Sequence, residues 1–166
     1  MGAASTGTAG APPSASGSSV EEPFRQPFAG QPEPAGQAEL IGLPKDEIDT
    51  PALLLDLDRF ERNASKISDF LRAQGVDWRP HSKAHKSPAI ARRQMQLGAI
   101  GVTCAKVSEA EVMVDHGIPS ILVANEQGRR QKFDKLAALN RRAEVITCAD
   151  SPTHVGMASA AGVAAG

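Results

Sequence analysis

Past a polar, glycine-rich beginning, apolar residues recur in two rhythms. Residues 51–56, Pro-Ala-Leu-Leu-Leu-Asp, form a continuous apolar run bounded by turn formers, the pattern of a short buried strand. Asp58 with Glu61 three residues on predicts a capping box and a helix start. Phe60, Ala64, Ile67 and Leu71 then follow at helical spacing, and Gly75 predicts the helix end. Residues 76–83 read as a strand despite Pro80, and Ser87-Pro88 opens a helix as N-cap and first helical residue. That helix stops at Gly98, a strand follows over 99–104, and Ser108 with Glu111 reads as a second capping box. Gly117 closes that helix. A strand over 120–124, a helix over 129–140, a strand over 144–149 and a helix opened by Ser151-Pro152 complete the series.

The strand ends near Lys83, Cys104, Ala124 and Cys148 recur at the length of one strand–helix unit with tight loops. Strands joined through helices run parallel, so the class is α/β, closed either as an open doubly wound sheet or as a (β/α)8 barrel. No Gly-x-Gly-x-x-Gly opens any of the helices, which counts against a dinucleotide fold. A barrel takes about 250 residues, so the expectation is an N-terminal piece of something longer.

Composition splits the chain. Residues 1–45 hold 27 Ala, Gly, Pro or Ser and only two basic residues, too little apolar area to offset ordering entropy. A disordered tail is therefore expected over 1–45 and a partial barrel domain over 46–166. The first six residues match the loose N-myristoylation pattern, which such a composition meets cheaply. No apolar run is long enough to span a membrane, no secretory leader pattern opens the chain, and two cysteines make neither a disulfide framework nor a metal cage. A cytoplasmic protein is expected. A net charge of −1 gives no general attraction to nucleic acid or to anionic membranes.

The dense chemistry lies in Trp78-Arg-Pro-His-Ser-Lys-Ala-His-Lys86. On a strand, Arg79, His81 and Lys83 would share one face, at the C-terminal end where parallel folds place their sites. Neighbouring cations and burial disfavour a protonated lysine, and a neutral lysine can form a Schiff base with a phosphorylated aldehyde cofactor. A basic run is also the ordinary composition of a solvated face or a general anion site. The two histidines lack supporting carboxylate or Cys ligands for zinc, so no metal ligands are assigned. Thr103 and Asn125 lie at strand ends and either line the mouth or cap the strands. Cys104 reads as a small buried hydrophobe, and His116 and His154 as helix-surface residues.

Residues 49–56, 79–86, 101–105 and 109–113, four blocks in order, resemble the D-threonine aldolase and D-serine dehydratase family. The resemblance implies the N-terminal half of an alanine racemase-like, pyridoxal phosphate-binding (β/α)8 barrel. It places the cofactor on Lys83; His81, Arg79 and His85 of the basic run, and Thr103 and Asn125 at strand ends, are the candidate cofactor contacts beside it. The implied reaction is Cα–Cβ cleavage of a D-β-hydroxy amino acid to glycine and an aldehyde. A dehydratase-type ammonia-lyase, or a racemase or cofactor carrier of the same fold, are the alternatives, and an anion or nucleic-acid module is the reading from another class. The family also implies a divalent metal, zinc or manganese, held by a late His-x-Cys or His-x-Asp pair that this sequence lacks. The expected partner is a small D-amino acid, with no nucleic acid and no membrane. A homodimer is left open for the intact protein, and the 166 residues alone are expected to be inactive.

Overall fold

The computed structural model describes residues 40 and 42–166. The acylation pattern and nearly all of the expected tail lie outside the described residues. After a short 3-10 turn at Lys45–Glu47, helix α1 covers Leu57–Ala73 and α2 covers Pro88–Gln96. Strand β1 (Val102–Cys104), helix α3 (Val107–Asp115), strand β2 (Ser120–Glu126), helix α4 (Arg130–Asn140), strand β3 (Glu144–Cys148) and helix α5 (Pro152–Ala165) follow in strict alternation. The three strands form one parallel sheet in the order β1-β2-β3, with Thr103 opposite Leu122 and Leu122 opposite Ile146. This is the expected α/β arrangement.

Register fixes which side chains meet which layer. Val102, Cys104, Ile121 and Val123 point to one face, where all four are fully buried. They pack with Val107, Ala110, Met113 and Val114 of α3 and with Phe133, Leu136 and Leu139 of α4. Burying a side chain such as Phe133 contributes about 2–3 kcal/mol, so this layer holds the fold together. The other face carries Thr103, Ser120, Leu122, Glu144 and Ile146, and no described helix covers it. Helix α5 joins the core chiefly through Ala161, leaving Val155 and Val163 exposed.

Local capping explains most element boundaries. Ser87 and Ser151 each cap a helix with Pro at its first position, accepting from the N–H of Ile90 (3.4 Å) and of His154 (3.2 Å). Gly117, at φ +77°, closes α3 in the left-handed conformation that a side chain would strain.

Three expectations are corrected. Residues 51–56 are not a strand: Leu53, Leu54 and Leu55 are exposed, because no described strand pairs with the segment and an apolar run alone makes no ladder. Helix α1 starts earlier than its expected box, because Asp56 is the N-cap, taking the N–H of Arg59 at 2.9 Å. Glu61 is thereby free to grip Arg93 of α2 with both carboxylate oxygens. Finally, residues 76–83 run beside β1 without becoming a continuous strand. They make two bridges, Trp78 to Ala99 and His81 to Thr103, three residues on one side against four on the other. Pro80 has no N–H to donate, and the uneven spacing breaks the alternation that would have kept Arg79, His81 and Lys83 on one face.

Candidate active site

The turn that carries Lys83 is pinned by backbone bonds on both sides. Ser82 is buried, its N–H donating to the carbonyl of Thr103 at 2.8 Å and its hydroxyl to the same oxygen at 3.0 Å. The N–H of Lys86 donates back to the Ser82 carbonyl at 2.7 Å, which closes a loop around Lys83, Ala84 and His85. Lys86 takes a left-handed φ of 51°, unusual for a residue with a side chain. Lys83 stands exposed just beyond the His81–Thr103 bridge, at the C-terminal end of the sheet, and its ammonium has no partner among the described residues. Position at the sheet end thus agrees with expectation; the burial expected to help neutralise its amine is absent.

Both histidines are fixed the same way. His81 Nδ1 accepts the N–H of Lys83 at 3.1 Å, and His85 Nδ1 accepts the N–H of Ser87 at 3.0 Å. A ring nitrogen that accepts carries no proton, so each neutral imidazole holds its proton on Nε2. His81 is exposed, whereas the Nε2 of His85 is buried without a hydrogen-bond partner. Burial pushes the His85 pKa below the ordinary imidazole value. A buried, unanswered N–H two residues from Lys83 fits a bound group that brings an acceptor oxygen, such as a phosphate or carboxylate.

Other expected contacts are dispersed. Arg79 does not join Lys83. Its guanidinium donates to Ser120 Oγ at 2.9 Å and lies 4.0 Å from Glu144, and the Ser120 hydroxyl also bonds that carboxylate. Ser120 and Glu144 are the first residues of β2 and β3, so this network caps the N-terminal end of the sheet. From there to Asn125, five residues of strand span roughly 17 Å. Gly101 makes room for it: a Cβ there would sit 2.3 Å from the guanidinium and 2.4 Å from the Ser120 carbonyl oxygen. Thr103 is buried on the same open face and its hydroxyl donates to the Arg79 carbonyl at 3.3 Å, a strand-lacing role. Asn125 is exposed at the C-terminal end, donating to the Ala105 carbonyl at 3.4 Å.

Cys104 is fully buried 3.5 Å from the Ser82 hydroxyl, and burial pushes its thiol pKa up. It is the expected inert hydrophobe. His116 bonds the Val112 carbonyl through Nδ1, and His154 pairs with Asp150. Among the described residues, no three His, Cys, Asp or Glu side chains cluster so as to hold a metal ion. A cleft of about 380 Å³ between α1 and Trp78 shares no lining residue with the Lys83 turn.

Two residues near the site carry no signal in the pattern of the chain. Gln127 is buried beyond β2 and donates to the Asn125 carbonyl at 2.7 Å. Glu109 takes the N–H of Ala105 at 2.8 Å, while the expected pair Ser108 and Glu111 forms no box. Only the true helix start, with Lys106 at the N-cap, puts Glu109 at the position that reaches back.

No family model matches the chain. It is 43% identical over 124 residues to 3-hydroxy-D-aspartate aldolase of Paracoccus denitrificans, covering 74% of this chain and 32% of that protein. It is 42% identical over 125 residues to D-threonine aldolase of an Arthrobacter species, covering 75% and 33%. D-threonine aldolase from Filomicrobium marinum superposes with a TM-score of 0.69 at 52% identity, over 71% of this chain and 32% of that one. D-threo-3-hydroxyaspartate dehydratase from Delftia sp. HT23 superposes with a TM-score of 0.65 at 34% identity, over 71% and 31%. The chain therefore spans about a third of the length of the relatives it matches, within their barrel fold.

Proposed function

From a chain homologous over about three quarters of its length to D-threonine and 3-hydroxy-D-aspartate aldolases, we propose a pyridoxal phosphate-dependent lyase of D-β-hydroxy amino acids, with Lys83 as the cofactor lysine. The observation that carries this reading is the unpartnered Lys83 amine on its pinned turn, beside the orphaned Nε2–H of His85. Pyridoxal phosphate, when bound, supplies an electron sink for the negative charge left at the substrate Cα.

The residues of the chain divide the remaining work. Lys83 would hold the cofactor through its amine, and its free Nζ would be the base of the chain nearest that position. His85 donates from Nε2 to an acceptor oxygen of the bound molecule, a bond that its fixed tautomer prepares in advance. His81 presents a second Nε2–H at the solvent side, and Asn125 borders the same end of the sheet. Arg79 and Thr103 act from behind, by holding the strands in register.

Cleavage between Cα and Cβ, giving glycine and an aldehyde, is the first reading because the relatives with the widest coverage carry aldolase names. Removal of the Cα proton by Lys83 with loss of the β-hydroxyl is the second, favoured by the Delftia dehydratase among the neighbours. A divalent metal, if held by residues outside the matched third, would supply Lewis acidity toward the substrate hydroxyl; among the described residues no side-chain cluster would hold it. For the 166 residues themselves the proposal is cofactor capture at Lys83 without turnover.

The test is capture and mapping. Incubation with pyridoxal phosphate followed by borohydride should leave one stable adduct on the peptide that contains Lys83, and Lys83→Ala should abolish it. Equal labelling in that variant would remove Lys83 from the role. Glycine plus aldehyde, against keto acid plus ammonia, separates the two reactions in the full-length enzyme.

A further inference from the structure

We infer that Glu109 is a positioning residue for Lys83, acting through Lys86; this rests on the assignment of Lys83 above. The carboxylate of Glu109, its side chain only 10% exposed, has two different tasks. One oxygen takes the N–H of Ala105, the first residue after β1, at 2.8 Å, and the other faces the ammonium of Lys86 at 3.6 Å. Lys86 is where the turn re-enters the fold: it holds the left-handed conformation, and its N–H closes the loop onto Ser82 at 2.7 Å.

The Lys83 turn thus has two anchors on the same strand. Its entrance is fixed by Ser82 on Thr103, inside β1. Its exit is fixed by Lys86 through Glu109 onto Ala105, just past β1. With both in place, Lys83 and His85 project from a closed loop of set height above the sheet. Without the second, the strained backbone of Lys86 is held only by its bond to Ser82 and by the capped start of α2 at Ser87 and Pro88, and the side-chain tie to the strand end is lost. A plain capping role for Glu109 would need only the bond to Ala105, which a glutamine can also accept.

That difference defines the experiment. Glu109→Gln, Lys86→Met and the double variant are compared with the unaltered chain for the stability of the reducible pyridoxal phosphate adduct at Lys83, across pH. Each single variant should weaken the adduct about tenfold, and the double no more than either, the mark of two groups acting as one. Direct charge effects would separate the singles, since losing an anion and losing a cation move the pH profile of a nearby amine in opposite directions. Positioning moves both the same way. Amide exchange at Lys86 provides a readout independent of cofactor, and it should be faster in both variants.

Adduct stability within twofold, opposite shifts of the pH profile, or unchanged exchange in Glu109→Gln would each overturn the inference. Should the unaltered chain form no adduct at Lys83, the functional reading fails, and the exchange measurement still decides whether Glu109 holds the turn.

Discussion

A single imidazole shows how the site and stability are coupled. His85 is held neutral in the fold, with a pKa below the ordinary value of about 6.5. The unfolded chain therefore binds a proton more readily than the folded one. Its contribution is complete above pH 6.5 and is lost as pH falls from there through the lowered folded value. Protonation also ends the acceptance of the Ser87 N–H that positions the ring. Urea unfolding between pH 7.5 and 5.5 should show a falling midpoint, and His85→Asn should flatten that slope; an unchanged slope would exclude the ring as its source. Gly101 makes a second prediction at this scale. Replacement by Ala drives a methyl into the Arg79 guanidinium and the Ser120 carbonyl. It should cost about 1–3 kcal/mol in denaturant unfolding while leaving the Lys83 adduct intact. The basic run that holds Lys83 was legible in the sequence because crowded cations are a compositional fact. Glu109 was not, because its role depends on a helix beginning at Val107 rather than after Ser108.

The Ser-Pro helix openings, held by local chemistry, were read correctly, whereas the strand expected over 51–56, which needs a distant partner, was not. Ser-Pro openings at 87–88 and 151–152 work within one turn of helix, and both helices begin there. Residues 51–56 have strand composition, but a strand exists only by pairing, and composition names no partner. Helix α1 falls between these cases. Its stripe was visible, yet only Ala64 and Ser68 are buried, so the stripe does little of the holding. Glu61 and Arg93 do more, as a two-pronged pair with side chains 19% and 16% exposed. Glu61→Gln removes the charge while keeping the shape, and should lower unfolding stability by about 2 kcal/mol. Hydrogen exchange along α1 should accelerate, with the strands unaffected; equal protection would mean that α1 is held elsewhere.

Across the whole molecule, apolar surface is unevenly spent. One face of the sheet is sealed by α3 and α4, while Leu53, Leu54, Ile146, Val155 and Val163 lie exposed. Among the described residues, β3 has a neighbour on one side only. Open strand edges and grouped apolar side chains promote association. Sedimentation of the 166-residue chain should reveal concentration-dependent association, and Leu53→Asp with Leu54→Lys should reduce it. Surface changes of this kind shift stability by about 0.5 kcal/mol or less, so a large loss would show that the segment is packed. The α/β class was legible from the repeating strand–helix units, whereas the sides left open depend on neighbours that pattern cannot supply.

The Arg79–Ser120–Glu144 network and the Lys83 loop stand at opposite poles of the same three strands. Alterations that firm up one pole need not disturb the proposed site at the other. An engineer could therefore harden the lower rim first and then vary the Lys83 loop above it, treating robustness and chemistry as separate dials.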